Sequence, residues 1–227
     1  LTKFSSIPEA RLYNGTLDSS IIIVGNSRAF RHFYDNEWSN VLSKSVKSIS
    51  KPGAPLVHLE TLLNDYSDIY DFPKKIIIEL DCLLTDSEII SSYKFLTHFS
   101  KEYSVILKRF DISGFYFSEI INLYKLNSNI FLNIIHKIFR EYEQPKLHGE
   151  ISNTQVENFI KAKKEKRFIS KSYNIESFEN IIKKYSGKSE LILIVSPFHP
   201  EVIKKYNEDI NSWISEIRNK TGDRVSI

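Results

Sequence analysis

Three short runs made almost entirely of aliphatic residues constrain the fold of this chain more than any other feature. They read Ile-Ile-Ile-Val at 21–24, Ile-Ile-Ile-Glu-Leu at 76–80 and Leu-Ile-Leu-Ile-Val at 191–195. Short apolar runs rich in β-branched side chains are typical of strands buried on both faces, as in parallel sheets. We therefore predict that these three runs are strands of one sheet.

Weaker strand and helix patterns lie around these runs. Residues 45–50 alternate like a half-buried strand near a sheet edge, and helical patterns occupy 28–42 and 56–66. Alternation of strands and helices at this spacing favours right-handed βαβ units. The sequence predicts a three-layer α/β/α, flavodoxin-like parallel sheet in the order 2-1-3-4-5, with a helix at 201–220 and the start of a fifth strand at 223–227.

The stretch at 86–186 interrupts the alternation. It contains helical patterns, the longest at 117–142, which is apolar nearly all round, as in a helix buried in a bundle or under a partner. The basic run at 161–167 is interpreted as a solvated helix face, with an anionic surface or polymer as the alternative. We predict one α/β domain over 1–227 with a helical insertion at 86–186, a candidate cap.

The composition excludes several classes of protein. The chain has 227 residues, of which 41% are hydrophobic and 26% charged, and this is too apolar for disorder. A net charge of +3 does not argue for nucleic-acid binding. Cys82 is the single cysteine, no Cys/His spacing indicates a metal site, and no apolar run approaches the roughly 20 residues of a membrane span.

Small or polar residues follow each predicted strand, at the sheet edge where α/β folds bind ligands. Ser27 follows the first strand, Gly53 the second, Asp81 the third and His199 the fourth. A serine at a helix start beside free backbone N–H groups, with a histidine as base, suits nucleophilic catalysis with an oxyanion hole. The simpler interpretation of Ser27 is a helix cap. The remaining histidines are interpreted as ordinary surface or core residues: His32, His58, His98, His136 and His148.

Four blocks of sequence together resemble the SGNH (GDSL-like) hydrolase superfamily. The blocks are Ile-Ile-Ile-Val-Gly-Asn-Ser-Arg-Ala-Phe, Lys-Pro-Gly-Ala-Pro, Pro-Lys-Lys-Ile-Ile-Ile-Glu-Leu-Asp and Leu-Ile-Val-Ser-Pro-Phe-His-Pro. The chain is most similar to the branch that includes bacterial cell-envelope polysaccharide O-acetylation and D-alanyl transfer proteins. The resemblance covers roughly 19–81 and 190–227 and leaves out the insertion.

The resemblance implies roles for the residues after the first three strands. Ser27 matches the nucleophile of the family, with Asn26 where the commoner pattern has Asp. Gly53 matches the glycine whose N–H serves the oxyanion hole. From their places after the strands, we also predict Asn26, Arg28 and Asp81 as oxyanion or substrate-binding residues. No cofactor and no metal are implied.

The chain departs from the family pattern at two points. Glu79-Leu80-Asp81-Cys82 stands where the family has Gly-x-Asn-Asp, so the asparagine donor of the oxyanion hole is absent. The family also carries its histidine in an Asp-x-x-His motif after the last strand, whereas His199 follows the fourth strand and has Ser196 three residues before it. We expect His199 to lie near the cleft without contacting Ser27, and the true base to lie beyond Ile227.

The implied function is that of a serine-dependent esterase or O-acyl (acetyl) transferase acting on a bacterial cell-envelope glycan through an acyl-Ser27 intermediate. The implied partners are a glycan or an acylated small molecule as substrate and, as a further candidate, a membrane acyltransferase; no nucleic acid is expected, and the oligomeric state stays undetermined. The expected location is extracytoplasmic, with an anchor in a segment before Leu1; a cytoplasmic location is the alternative. Two other functions stay open: a non-catalytic glycan-binding or assembly protein, and a flavodoxin-like anion binder that uses the turn at 25–28.

Overall fold

The structure is a computed structural model that describes residues 8–13, 15, 17–86, 100–120, 157, 168–222 and 225. In chain order the elements are α1 (Pro8–Tyr13), β1 (Ile21–Val24), α2 (Ser27–His32), α3 (Asp35–Leu42), β2 (Val46–Ser48), α4 (Leu56–Tyr70), β3 (Lys75–Glu79), a 3₁₀-helix (Leu80–Leu84), α5 (Lys101–Phe110), α6 (Ile112–Ile120), α7 (Ser172–Tyr185), β4 (Glu190–Ile194) and α8 (Pro200–Thr221).

The four strands form one parallel sheet in the order β2-β1-β3-β4. In the register of β1 on β3, Ile21 lies opposite Lys75 and Val24 opposite Ile78. The predicted α/β class is confirmed, and so is the position of the second strand at an edge. Nearly all of the expected fifth strand at 223–227 lies outside the described residues.

Both faces of the sheet are covered, which explains the uninterrupted apolar runs. Ile22, Val24, Ile76 and Ile78 face the larger core, which α4, α7 and α8 complete. Ile21, Ile23 and Ile77 face a smaller cluster that includes Ala29 of α2 and Trp38 of α3. Helices therefore lie on both sides of the sheet, as a three-layer α/β/α arrangement requires.

The described part of the predicted insertion is helical. It contains α5, α6 and α7, and the side chain of Tyr103 on α5 packs with Val57 of α4 in a buried cluster. Beyond residue 120, the predicted helix at 117–142 lies outside the described residues, and so does the basic run at 161–167.

The helix predicted at 28–42 is wrong as a single element, because the chain breaks between α2 and α3. Asp35, the first residue of α3, forms ion pairs with Arg11 and with Lys47 (3.9 Å). Its Oδ1 also accepts a hydrogen bond from the backbone N–H of Ser48 (2.9 Å). These contacts tie the start of α3 to β2 and α1, and a straight continuation of α2 would not satisfy them.

Asn174 on α7 joins three elements through one buried amide. Its Nδ2 lies within hydrogen-bond distance of the carbonyl oxygens of Cys82 (3.1 Å), Leu83 (3.1 Å) and Thr85 (2.9 Å). Its Oδ1 accepts from the N–H of Val57 in the first turn of α4 (3.3 Å). Helix ends leave such backbone groups without intrahelical partners, so this side chain fixes the segment after β3 in place.

We expect Asn174→Ala to lower the free energy of unfolding by about 2 kcal/mol or more, because several buried backbone groups lose their partner. Asn211→Ala, at an exposed position on α8, is the matched control and should change it by no more than about 0.5 kcal/mol. Urea denaturation of both variants measures the difference. Equal stability of the two variants would contradict the role given to Asn174.

Candidate functional site

The turns after β1 and β2 lie side by side at the carboxyl edge of the sheet. The N–H of Lys51 donates to the carbonyl oxygen of Gly25 (3.0 Å), which extends the pairing of the two strands beyond their ends. Residues 51–54 form a turn in which the N–H of Ala54 donates to Lys51 O (3.1 Å). Pro52 and Gly53, with φ +72° at Gly53, are the central residues of a type II turn. Gly53 is therefore held in a turn that is hydrogen-bonded to the residue two before Ser27.

Gly25 allows α2 to approach the sheet closely. A Cβ on Gly25 would lie 2.4 Å from Cβ of Ala29 and 2.8 Å from Cβ of Glu79. Both distances are far below a van der Waals contact, and neither neighbour is a flexible side-chain end. The glycine after β1 is therefore required by packing, and it brings the start of α2 directly against β3.

Ser27 is the first residue of α2, and Asn26 is the N-cap. The Oδ1 of Asn26 accepts from the N–H of Arg28 (3.1 Å), and its Nδ2 donates to Oγ1 of Thr85 (3.4 Å). The interpretation of Ser27 as the cap is thus wrong, because the preceding side chain occupies that position. Ser27 is half-buried, and none of the described residues makes a hydrogen bond to its hydroxyl. Since α2 has six residues, its dipole contributes little here.

Arg28 connects the ends of three strands. Its Nε lies 2.9 Å from Oδ2 of Asp81, which follows β3, and one terminal nitrogen donates to the carbonyl oxygen of Ser196, which follows β4 (3.0 Å). The guanidinium also lies over the ring of Phe198, 4.2 Å from its centroid. The structure therefore brings together Arg28 and Asp81, both predicted as site residues, but as partners of each other.

Glu79 is a feature of this edge that sequence reasoning missed as a site residue. It is fully buried at the end of β3, and among the described residues neither carboxyl oxygen has a partner in hydrogen-bond geometry. Burial first, and then the charge of Asp81, raise the pKa of Glu79 to about 7. Polar contacts from the Ser196 hydroxyl and the Asp81 backbone, which fall short of hydrogen-bond geometry, and the charge of Arg28 oppose this shift. The signal in the sequence was a single carboxylate inside an otherwise apolar strand.

Asp81 differs from Glu79 in that one of its carboxyl oxygens forms an ion pair with Arg28. Burial raises the pKa of Asp81, and the guanidinium of Arg28 lowers it. Its Oδ2 faces Arg28, while Oδ1 is buried without a hydrogen-bond partner among the described residues. A fully buried carboxyl group, Glu79, and a partly buried one, Asp81, thus lie near one cation, beside the turn that holds Ser27.

His199 is the N-cap residue of α8, and its Nδ1 accepts from the N–H of Glu201 (3.3 Å). Within the described residues, no hydrogen bond joins His199 to Ser27. His58 is buried in α4, with its ring 5.5 Å from that of Tyr103 in an edge-to-face contact, as expected of a core histidine. His32 is exposed. The other three histidines lie outside the described residues: His98, His136 and His148.

The described part of the chain contains no group of three or more His, Cys, Asp or Glu side chains arranged to hold a metal ion. In the same residues, no helix combines the length and the apolar character that a membrane span requires. Comparisons with protein-family models, with curated proteins and with solved structures found no match. The likeness to SGNH hydrolases therefore rests on the sequence blocks quoted above.

The raised pKa of Glu79 predicts a dependence of stability on pH. The unfolded chain loses this proton near pH 4.5, whereas the folded protein keeps it up to about pH 7. Between these values the folded state binds more protons, so the free energy of unfolding falls as pH rises, by about 3 kcal/mol in total. We expect Glu79→Gln to remove this contribution and to exceed the wild type in stability at pH 7 and above.

Urea denaturation at a series of pH values measures the effect. Glu190→Gln is the control, because Glu190 is exposed and pairs with Lys75 (2.6 Å), and this variant should keep the wild-type slope. Identical pH dependence in Glu79→Gln and the wild type would show that Glu79 is ionised in the folded protein.

Proposed function

We propose that this protein is a serine-dependent esterase or O-acyl (acetyl) transferase that acts on a bacterial cell-envelope glycan through an acyl-Ser27 intermediate. One observation carries the proposal: at the carboxyl end of an internal strand of a parallel sheet, the Ser27 hydroxyl has no hydrogen bond to any described residue. Asn26 caps the helix in its place. A hydroxyl that the fold does not use, at the edge where such sheets bind ligands, is suited to attack a substrate.

The proposed reaction begins with attack of Ser27 Oγ on the ester carbonyl carbon, while a base takes the hydroxyl proton. The oxyanion would be held by the N–H groups of Ser27 and Gly53. The Lys51–Gly25 hydrogen bond supports this, because it keeps the Gly53 turn beside the Ser27 turn. The ester C–O bond then breaks and the leaving alcohol receives the proton. Water or a glycan hydroxyl subsequently attacks the acyl-serine and releases the acyl group.

The base in this mechanism is His199 or a group outside the described residues. The Nδ1 of His199 accepts a hydrogen bond from the N–H of Glu201, so Nε2 is the nitrogen of this ring that would accept the proton of Ser27. The earlier expectation, a base beyond Ile227, stays a prediction. His199→Ala separates the two assignments, because it removes activity only when this imidazole is the base.

The substrate class and location belong to the same proposal and come from the resemblance to envelope-modifying SGNH proteins. We propose a glycan or an acylated small molecule as substrate, an extracytoplasmic location and a membrane acyltransferase as partner. Transfer instead of hydrolysis requires that water be excluded while an acceptor hydroxyl is bound.

A non-catalytic glycan-binding or assembly role is the second candidate. Two observations favour it: among the described residues no imidazole is hydrogen-bonded to Ser27, and Arg28 is already paired with Asp81. The third function, anion binding at the turn 25–28, is less well supported, because that pairing neutralises the cation and α2 is short.

We expect a fluorophosphonate probe to label the wild-type protein and not Ser27→Ala, and p-nitrophenyl acetate turnover to fall on the order of 10³-fold in this variant. Ser215→Ala on the exposed side of α8 is the control and should behave as the wild type. Mass spectrometry of the labelled protein identifies the modified residue. An unlabelled wild type, or labelling that survives in Ser27→Ala, would overturn the enzymatic proposal and favour the binding role.

A further inference from the structure

The proposed reaction leaves two neighbouring carboxyl groups beside the Ser27 turn without a role: Glu79, which is fully buried, and Asp81, which is partly buried. Among the described residues, both oxygens of Glu79 and Oδ1 of Asp81 are buried without a hydrogen-bond partner. Ionised carboxylates only accept hydrogen bonds, so two of them cannot satisfy each other. One added proton changes this, because a protonated carboxyl group donates to a neighbouring carboxylate.

We propose that Glu79 carries a proton that it donates to Oδ1 of Asp81, and that this shared proton makes Glu79 a positioning residue for the Ser27 turn. The positioning role rests on the proposed function of Ser27, whereas the shared proton does not.

The geometry connects Glu79 to Ser27 through two routes. Directly, Cβ of Glu79 lies 2.8 Å from the point that a Cβ on Gly25 would occupy, and its Oε2 lies 3.6 Å from that point. Indirectly, Asp81 holds Nε of Arg28, the residue after Ser27, at 2.9 Å. Glu79 thus packs against Gly25, the residue that follows β1, and acts through Asp81 on the first turn of α2.

Three groups face the carboxyl groups of Glu79 and Asp81 and determine whether their negative charge is balanced. Arg28 faces them from α2, the buried Cys82 thiol from the 3₁₀-helix, and the buried Ser196 hydroxyl from the loop after β4. Burial and the two carboxylates raise the pKa of Cys82 well above its usual value, so the thiol is neutral. With one shared proton the cation of Arg28 balances the single negative charge. Without that proton, a second negative charge is buried with no counterion among these groups, which is costly.

Loss of the proton to solvent would therefore change the position of Arg28. Two adjacent carboxylates repel each other and compete for one guanidinium, which in the structure also donates to Ser196 O and lies over Phe198. A shift of Arg28 moves the neighbouring Ser27. We expect reactivity of Ser27 to fall as pH rises through the ionisation of Glu79.

The shared proton is tested by carboxyl NMR of the full chain labelled with ¹³C in its Glu and Asp side chains. The Glu79 resonance is the one missing from Glu79→Gln. We expect it to titrate near neutral pH, with the Asp81 resonance responding over the same interval and a lower Glu79 midpoint in Asp81→Asn. An ionised Glu79 throughout, a silent Asp81, or an unchanged midpoint in Asp81→Asn would overturn the shared proton.

The positioning role is tested by the rate of fluorophosphonate labelling against pH. Above the Glu79 midpoint the wild-type rate should fall about tenfold per pH unit, as for one essential proton. Glu79→Gln keeps a donor that does not titrate, so its rate should stay high there, whereas Glu79→Leu has no donor and should be slow at every pH. Asp65→Asn is the control: Asp65 is a buried acid that accepts from Tyr13 (2.6 Å), away from this edge.

A wild-type decline that persists in Glu79→Gln would overturn the positioning role. Absence of labelling in every protein would overturn the proposed function, and with it the positioning role that depends on that function. The NMR titration needs no activity and still decides the shared proton in that case. Far-ultraviolet circular dichroism of each variant checks that it is folded.

Discussion

The close approach of α2 to the sheet at Gly25 is the contact on which the carboxyl edge depends. Both Ala29 and Glu79 lie so close to the backbone of Gly25 that a Cβ at this position would clash with each of them. This contact sets where α2 begins, and therefore where Asn26, Ser27 and Arg28 lie relative to β3. A bulkier residue would push α2 outward and separate Arg28 from Asp81. The positions of these polar residues therefore depend on the absence of a side chain at Gly25, the residue before Asn26.

The carboxyl edge contains a hydrogen-bonded network and, beside it, carboxyl oxygens that have no hydrogen-bond partner among the described residues. Asn26, Thr85 and Asn174 form a chain of hydrogen bonds from the cap of α2 through the segment after β3 to α7. Beside this network, Glu79 and one oxygen of Asp81 are buried without partners among the described residues. Burying such groups costs stability. Buried titratable groups of this kind cluster at functional sites, which favours this edge as the candidate site.

His199 can be interpreted both as the N-cap of α8 and as the base for Ser27. Proline follows it at the first position of α8, and the imidazole Nδ1 accepts from Glu201 N–H as a cap does. The same loop is fixed to the site by Arg28, which contacts both Ser196 and Phe198. A capping histidine keeps its second nitrogen for chemistry, so the structural role of His199 does not remove the chemical one.

Much of the fold could be predicted from local pattern alone. Strands buried on both faces require runs of apolar residues, and these runs are recognisable in the sequence. The parallel sheet and the turns with Ser27, Gly53 and Asp81 after its strands follow from such patterns, whereas the predicted strand order came from the flavodoxin-like fold and not from a local pattern. The break before Asp35 could not be predicted, since it depends on ion pairs with Arg11 and Lys47 from distant elements.

The site was predictable in its location and not in its pairings. The sequence by itself determined which residues follow the strands, because the chain direction of a parallel sheet carries them to one edge. Only the tertiary structure decided that Asn26 caps α2, that Arg28 is paired with Asp81, and that Glu79 is buried without a hydrogen bond among the described residues. The physical reason is that capping, ion pairing and desolvation depend on distances between residues far apart in the chain, and these distances exist only once the helices have packed on the sheet.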